Sequence, residues 1–380
     1  MDYRVISADD HIDLRWLPAD LWSSRLPAHL RDRGPQVRDT DKGTLWFCDN
    51  EVWGTWGTYT AAQGSGSKWA LERGGVMREG ELRPTVPEMR LEDMDRDGVD
   101  ATVMYGPTDP LNVADPELRR ACYRAYNDWL LEFCSANPDR LLGVGHLSLE
   151  DPEFAREELE RLVRLGVRHV NILAARANPP VYDAAWEPFW ALAEETGIPV
   201  GFHLAVIVRR ERLENEENQN PWVAAATRAA AQPQGFQLIA PITGLIFTGT
   251  LDRHPKLKLV MAEAGLAWVP NMIQALDNHC GRLKEGRRLI GKDGDPVNLP
   301  QLMPSEYFPR NIWITFEDDP AGMKMLGLLD ENRVMWASDY PHPASTWPFS
   351  QQVIENQMRG VPEGVQQKIL SGNARALYGL

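Results

Sequence analysis

The sequence predicts an α/β protein, a (β/α)8 TIM barrel with a long insertion after its first strand. Three observations predict it. Eight short apolar runs are spread along the chain, and helical stretches with legible starts and stops lie between them. Asp, His or Glu residues stand at or just past the C-terminal ends of four of the runs. The C-terminal ends of barrel strands all face one mouth, so such residues can meet although they are far apart in sequence.

The candidate strands are Arg4–Ala8, Ala101–Tyr105, Leu141–His146, Val167–Ile172, Pro199–His203, Leu257–Ala262, Ile312–Phe316 and Arg333–Ala337. Most are continuous apolar runs, as expected of parallel strands buried on both faces. Asp115-Pro116 starts a helix that runs to about Asn137, and Asp151-Pro152 starts another that ends at Gly166. Both starts pair a capping Asp with proline at the first helical position. Asp183 to Thr196, Ala267 to about Arg287, and Pro320 to Asp330 read as further helices. Strand-helix alternation implies a parallel sheet with helices outside. Eight repeats suit closure into a barrel, although periodicity alone also fits an open doubly wound sheet.

Residues 1–380 are read as a single domain, with 14–87 as an inserted lid or subdomain. That insertion holds Trp16, Trp22, Trp46, Trp53, Trp56 and Trp69 among many glycines. Thr44 to Phe47 and Glu51 to Trp53, around Asp49-Asn50, fit a hairpin. The tryptophans either close over a substrate, Trp53 among them, or form a small core of their own. Ala205 to Gly249, after the fifth strand, reads as a loop plus a helix.

The 380 residues are 43% hydrophobic and carry a formal net charge of −14. Nucleic-acid binding needs clustered Lys and Arg, and this charge argues against it. The short cluster Arg209, Arg210 and Arg212 reads as a solvated loop. No apolar run approaches the ~20 residues of a membrane span, and no signal-peptide pattern is seen at the N-terminus. Cys48, Cys122, Cys134 and Cys280 form no CxxC pair. The expectation is a reduced, cytoplasmic protein with free or buried thiols, acting on a small molecule and not on nucleic acid or membrane.

Four strand ends carry the chemistry. Asp9 and His11 follow the first strand, and residues two apart on a strand share a side. Together they suit Zn²⁺, Mn²⁺ or Fe²⁺, while Asp10 and Asp13 are expected to face away. His203 ends the fifth strand, as metal ligand or core histidine. Glu263 ends the sixth, where an unpaired buried charge needs a metal, a bound water or an arginine. Asp339 follows the eighth, as ligand, general base or turn residue. His342 lies three residues on and is a candidate for the surroundings of the metal-bound water. Glu317, past the seventh strand, can orient substrate or water, whereas Asp318 and Asp319 look like helix caps. Trp268 and Trp347 either wall the substrate or pack, and His146 can line the mouth. His29, His169, His254 and His279 read as structural or exposed.

Longer stretches now match a family pattern. They are Ile6-Ser7-Ala8-Asp9-Asp10-His11, His254-Pro255-Lys256-Leu257-Lys258-Leu259-Val260, Ala262-Glu263-Ala264-Gly265, Ala337-Ser338-Asp339-Tyr340-Pro341-His342, and the tail Gly372 to Gly379. From Ile6 to Leu380 the chain resembles the amidohydrolase-related enzymes of the branch that includes aminocarboxymuconate-semialdehyde decarboxylase. The resemblance implies a distorted (β/α)8 barrel, a homodimer and one divalent metal ion, zinc or manganese. It also implies Asp9, His11 and His203 as ligands, with Asp339 as ligand and proton shuttle.

There are departures. Many members carry His-x-His or Glu-x-His where this chain has Asp9 and His11. The decarboxylases resembled place a catalytic histidine where this chain has Glu263. The expectation is therefore a metal-dependent hydrolase. A metal-activated water would attack an amide, lactone, ester or activated carbon–carbon bond, with Asp339 moving the proton and Glu263 as second base or further ligand. The alternative is non-oxidative decarboxylation of an aromatic or unsaturated acid. A more remote one is a non-catalytic ligand-binding barrel, since fold alone does not establish catalysis.

Overall fold

The computed structural model describes residues 3–41, 43–57, 82–107, 111, 113–204, 235–285, 299–342 and 344–380. Its strands, in chain order, are β1 (Ile6–His11), β2 (Gln36–Thr40), β3 (Gly43–Cys48), β4 (Glu51–Thr55), β5 (Ala101–Tyr105), β6 (Leu141–Gly143), β7 (Gly145–His146), β8 (Val170–Ile172), β9 (Val200–Phe202), β10 (Leu259–Met261), β11 (Ile312–Phe316) and β12 (Val334–Trp336).

All eight expected strand positions are occupied. They form two parallel sheets, β1-β5-β6 and β7-β8-β9-β10-β11-β12. The run read as one strand, Leu141–His146, is two pieces. Val144 N–H donates to Met104 C=O, and the next residue, Gly145, donates to His169 C=O. The chain changes partner at that step, from β5 to β8, and so joins the two sheets. The other seam is closed by Asp339 N–H on Asp9 C=O (3.0 Å) and His11 N–H on Tyr340 C=O (2.7 Å). The strands thus follow the sequential order of an α/β barrel, distorted at both seams.

Both faces of the strands are buried, which explains their continuous apolar runs. Ile6, Ala8, Val103, Tyr105, Val144, Val260, Ala262 and Met335 pack with one another as one cluster. Alternate residues such as Met104, Val170, Ile172, Val200, Leu259 and Met261 belong to the larger core, which includes the helices. The helix starts follow their signals. Asp115 accepts from Glu117 and Leu118 N–H to open Pro116–Cys134, and Asp151 accepts from Phe154 N–H to open Pro152–Arg164. The segment read as one helix from Pro320 to Asp330 is shorter. Pro320–Lys324 is helical, and after Met325 a 3-10 turn covers Leu326–Leu328. Gly322 and Gly327 weaken a longer helix there.

The insertion contains the expected hairpin, β3 and β4, with Asp49 and Asn50 at positive φ (48° and 66°) in its turn. Left-handed residues at both central positions give the twist a tight hairpin needs. A third strand, β2, pairs antiparallel with β3. Trp22 stands edge-on to both Trp46 and Trp53, at 5.0 and 5.7 Å between ring centroids. Trp46 Nε1–H donates to Leu14 C=O, and Trp56 Nε1–H donates to Leu17 C=O. These tryptophans do not form a separate core but join the main one, Trp22 donating through Nε1–H to Cys122 C=O of the helix Pro116–Cys134. Trp53, expected as a substrate contact, packs into it, because its ring completes the cover of Trp22. Trp69, and the cluster Arg209, Arg210 and Arg212, lie outside the described residues.

The four cysteines are free and buried, as expected. Among the described residues no helix is long and apolar enough to cross a membrane.

Candidate metal centre

Asp9 and His11 sit on the last half of β1, which slips register against β5 between Ser7 and Asp10. His203 follows β9, Glu263 follows β10, and Asp339 lies three residues past β12. Asp9, His11, His203 and Asp339 are each at most 1% exposed. His11 Nε2 lies 3.6 Å from Asp9 Oδ1 and 3.3 Å from Asp339 Oδ1. His203 Nε2 lies 3.5 Å from both Asp9 Oδ1 and Glu263 Oε2. These separations are long for hydrogen bonds. They suit ligand atoms set around one cation, where bonds of about 2.1 Å place neighbouring donors roughly 3.0–3.4 Å apart.

Hydrogen-bond accounting points the same way. Among the described residues, Asp9 Oδ1, His11 Nε2 and His203 Nε2 are buried without a hydrogen-bond partner, as are both Asp339 carboxylate oxygens apart from an ion-pair contact of Oδ1 with His342. Leaving such groups unpaired is costly. The other polar side-chain atom is fixed in Asp9 and in His203. Asp9 Oδ2 accepts from Thr315 Oγ1–H (3.1 Å), and Thr315 Oγ1 accepts from Glu263 N–H (2.8 Å). The contact of His203 Nδ1 with Leu204 C=O (2.7 Å) requires a proton on Nδ1, which leaves the Nε2 lone pair free. Two overlapping groups of donors result: Asp9, His11 and His203, and then His11, Glu263, Asp339 and His342. Imidazole and carboxylate donors fit zinc or manganese.

Glu263 and Asp339 both lie at positive φ, 51° and 58°. Non-glycine residues there carry strain of about 1–3 kcal/mol, which concentrates at functional sites. The backbone bonds Gly265 N–H to Thr315 C=O and Asp339 N–H to Asp9 C=O help hold the two turns.

The electrostatics are those of crowded carboxylates. Burial, then the charge of Asp339, push Glu263 up to about 8. Burial, then Asp339 and Glu263, raise Glu317 well above the usual range, and its Oε1 has no hydrogen-bond partner among the described residues. Burial pulls His203 down, but Asp9 and then Glu263 outweigh it and hold the imidazole at about 9. Burial also disfavours charge on Asp339, yet His342 and His11 hold its carboxyl well below the usual range. A divalent cation would relieve this excess of negative charge.

His342 is closer than expected. Its Nδ1 lies 2.9 Å from Asp339 Oδ1, and its ring stacks on His11 at 3.8 Å. Its Nε2 lies 2.8 Å from Asp13 Oδ2. Asp13, expected to face away, is therefore part of the site, because the chain leaves the strand after His11 and turns back. Asp10 does face away. It is held by Ser7, Ser338, Thr102 and Tyr340 N–H, and by buried Arg90.

Trp347, expected as a possible substrate wall, packs instead. It clusters with Trp16 and Tyr340 and donates through Nε1–H to Asp93 C=O, because the turn after Asp339 folds it back. Trp268 stays near the site, half-buried, its Nε1–H on Ala264 C=O and its ring edge-on to Phe236. His169 is structural, bridging Pro199 C=O and Tyr105 Oη. Thr315, which links Asp9 to Glu263, was not singled out by sequence. A lone Thr inside an apolar strand gives no signal.

A family model described as Amidohydrolase matches residues 43–380. A gamma-resorcylate decarboxylase of Rhodococcus jostii (strain RHA1) is 28% identical over 271 residues, covering 67% of this chain and 77% of that protein. An amidohydrolase from Mycobacterium avium subsp. paratuberculosis K-10 superposes over 100% of both chains, with TM-score 0.76 and 22% identity. A 5-carboxyvanillate decarboxylase from Novosphingobium aromaticivorans DSM 12444, complexed with manganese and 4-hydroxy-3-methoxy-5-nitrobenzoic acid, superposes with TM-score 0.65 and 18% identity. It covers 100% of this chain and 97% of its own.

Proposed function

Because this chain belongs to the amidohydrolase family, we propose that it is a metal-dependent carboxy-lyase, removing CO₂ without oxidation from an aromatic carboxylic acid. The observation that carries the reaction is the likeness, over two-thirds of the chain, to a decarboxylase of an aromatic acid. It shifts the reading from hydrolysis, the first expectation, to the alternative.

In this proposal Asp9, His11, His203 and Asp339 hold one divalent ion, zinc or manganese, with Glu263 at its edge. When bound, such an ion would supply positive charge to offset that of a carboxylate and of the electron pair left as CO₂ departs. The carbon–carboxylate bond breaks, its electron pair stays on the ring carbon, and that carbon takes a proton. Glu263 is the group to deliver it, standing where the resembled decarboxylases carry a histidine. Asp339 and His342, in contact through Nδ1, are placed to hand a further proton towards the site. Glu317 and Trp268 line the remaining approach and orient the ring.

The carboxylate of Glu263 is also the observation that favours a second reading, hydrolysis, in which it serves as base. One experiment separates the two. Protein reconstituted with Mn²⁺ or Zn²⁺ is incubated with 2,6-dihydroxybenzoate, 5-carboxyvanillate and a set of aryl esters and lactones. The proposal expects CO₂ and the decarboxylated arene in equal amounts, lost in His203→Ala and Asp339→Asn. Ester or lactone opening with no CO₂ from any acid would establish hydrolysis instead.

A further inference from the structure

β11 is apolar along its length except at Thr315, which is fully buried. Valine would match its shape and its strand preference without a hydroxyl to desolvate. Packing alone therefore gives no reason for the hydroxyl; its bonds do. Thr315 Oγ1 accepts from Glu263 N–H (2.8 Å) and contacts Asp9 Oδ2 (3.1 Å). A backbone N–H can only donate, which leaves the Oγ1 proton for the carboxylate. One hydroxyl thus joins the first strand of the barrel to the turn after β10.

Each bond acts on a group that the proposed reaction needs. With Oδ2 of Asp9 taken, Oδ1 is left, 3.5 Å from His203 Nε2 and 3.6 Å from His11 Nε2. That oxygen has no hydrogen-bond partner among the described residues. Glu263 sits at φ 51°, a strained conformation for a non-glycine residue that its surroundings must hold. Thr315 holds it at both ends of the turn. Its hydroxyl takes Glu263 N–H, and its C=O takes Gly265 N–H (3.1 Å). The Glu263 carboxylate is thereby kept 3.5 Å from His203 Nε2.

We propose that Thr315 is a positioning residue that ties the proposed metal ligand Asp9 to the proposed acid Glu263. By holding Oδ2 it leaves Asp9 to act through Oδ1 alone, and by holding the turn it keeps the Glu263 carboxyl at the mouth. The inference rests on the metal-centre and decarboxylase readings above and adds a division of labour to them. The bond to Asp9 governs metal affinity, and the bond from Glu263 governs turnover. The two effects are separable.

The test reads Mn²⁺ affinity by competition with a chelating dye. Turnover is read at saturating Mn²⁺, as CO₂ release from 2,6-dihydroxybenzoate or 5-carboxyvanillate. Thr315→Val keeps the branched shape and loses both bonds. It should weaken Mn²⁺ binding about 10–100-fold, the usual effect of removing a partner of a metal ligand. Its kcat should fall about tenfold or more with KM little changed, because a displaced acid slows the step and not binding. Thr315→Ser, which keeps the hydroxyl, should recover most of both. In a Glu263→Gln background, Thr315→Val should weaken Mn²⁺ binding by the same factor but lower the residual kcat little further, since the group it places is already gone. If Thr315→Val does not fold, Thr315→Ser and Thr315→Ala give the comparison instead, differing only in the hydroxyl. Mn²⁺ affinity in folded Thr315→Val within about threefold of the wild type would overturn the inference, even with CO₂ released. A loss that Thr315→Ser does not recover would overturn it too. Mn²⁺ affinity that depends on the hydroxyl, in a protein that releases no CO₂ from either acid, would uphold the positioning of Asp9 while the decarboxylase reading fails.

Discussion

His342 is positioned by what its far nitrogen touches. Asp13 holds Nε2 at 2.8 Å, and so fixes the ring that meets Asp339 and stacks on His11. Partners of this kind typically affect metal affinity by about 10–100-fold. Asp13→Ala is therefore expected to weaken Mn²⁺ binding by about that range, measured by competition with a chelating dye. Unchanged affinity would remove Asp13 from the site. The proposed ligands were legible because each stands at the end of an apolar run with a donor side chain. Asp13 was not, because its direction depends on how the chain turns after His11, and strand alternation stops applying there.

Asp97 carries a prediction independent of the metal. It is 3% exposed and accepts from Ser350 N–H (2.9 Å) and the Ser350 hydroxyl. Burial raises it to about 6, and the Ser350 bonds only partly oppose that. The folded state therefore holds this proton more tightly than the unfolded chain does. Stability falls as pH rises from about 4 to 6, by roughly 3 kcal/mol from this group alone. Asp97→Asn should flatten that part of the profile in denaturant titrations across pH 4–7. An unaltered slope would mean that other groups set it.

At the scale of elements, Asp319 links two strand ends. Its Oδ1 caps the helix Pro320–Lys324 through Gly322 N–H, and its Oδ2 accepts from Leu266 and Ala267 N–H in the turn after Glu263. Asp319→Ala leaves three backbone donors without this partner. A lost cap alone costs about 1 kcal/mol, and the part-buried donors of the neighbouring turn add to it, for a total of about 2–4 kcal/mol. The melting temperature should fall, and the Glu263 turn should exchange amide hydrogens faster. A drop in stability with no change in exchange around Ala264 to Ala267 would confine Asp319 to capping. The cap itself was legible, since Asp before Pro marks a helix start. Its reach to the neighbouring turn was not, because that contact spans 53 residues of sequence.

The strands divide in the same way. Ala101–Tyr105 and Ile312–Phe316 were legible to the residue, being apolar runs bounded by polar or turn residues. The break between β6 and β7 was not, because Val144 continues the apolar pattern and only its hydrogen-bond partner changes. β2 was missed because Gln36-Val37-Arg38-Asp39-Thr40 is polar and partly exposed, and pairing with β3 makes it a strand.

For the whole molecule, the metal and the fold are one thermodynamic system. Eight strands converge on a mouth where Asp9, Glu263, Glu317 and Asp339 crowd together, and burial makes their mutual repulsion costly. A cation that binds the folded chain and not the unfolded one stabilises it by mass action, about 2.7 kcal/mol when present at 100 times its dissociation constant. For a chain of this length that is a rise of about 3 °C in melting temperature. Chelator-treated protein should therefore melt lower than protein given excess Mn²⁺ or Zn²⁺, and the gap should grow with metal concentration. His203→Ala should lose most of the gap. It removes a ligand but leaves the carboxylates, so its melting temperature should respond little to added metal. Asp339→Asn should behave differently, because it removes a proposed ligand together with the charge that His342 and His11 favour in the folded chain. Its metal-free form should melt below the metal-free wild type, and its metal-induced rise should shrink. A metal-free wild type that melts no lower than the loaded protein, at any metal concentration tried, would separate the ion from the fold and remove the ground for a cation at this mouth.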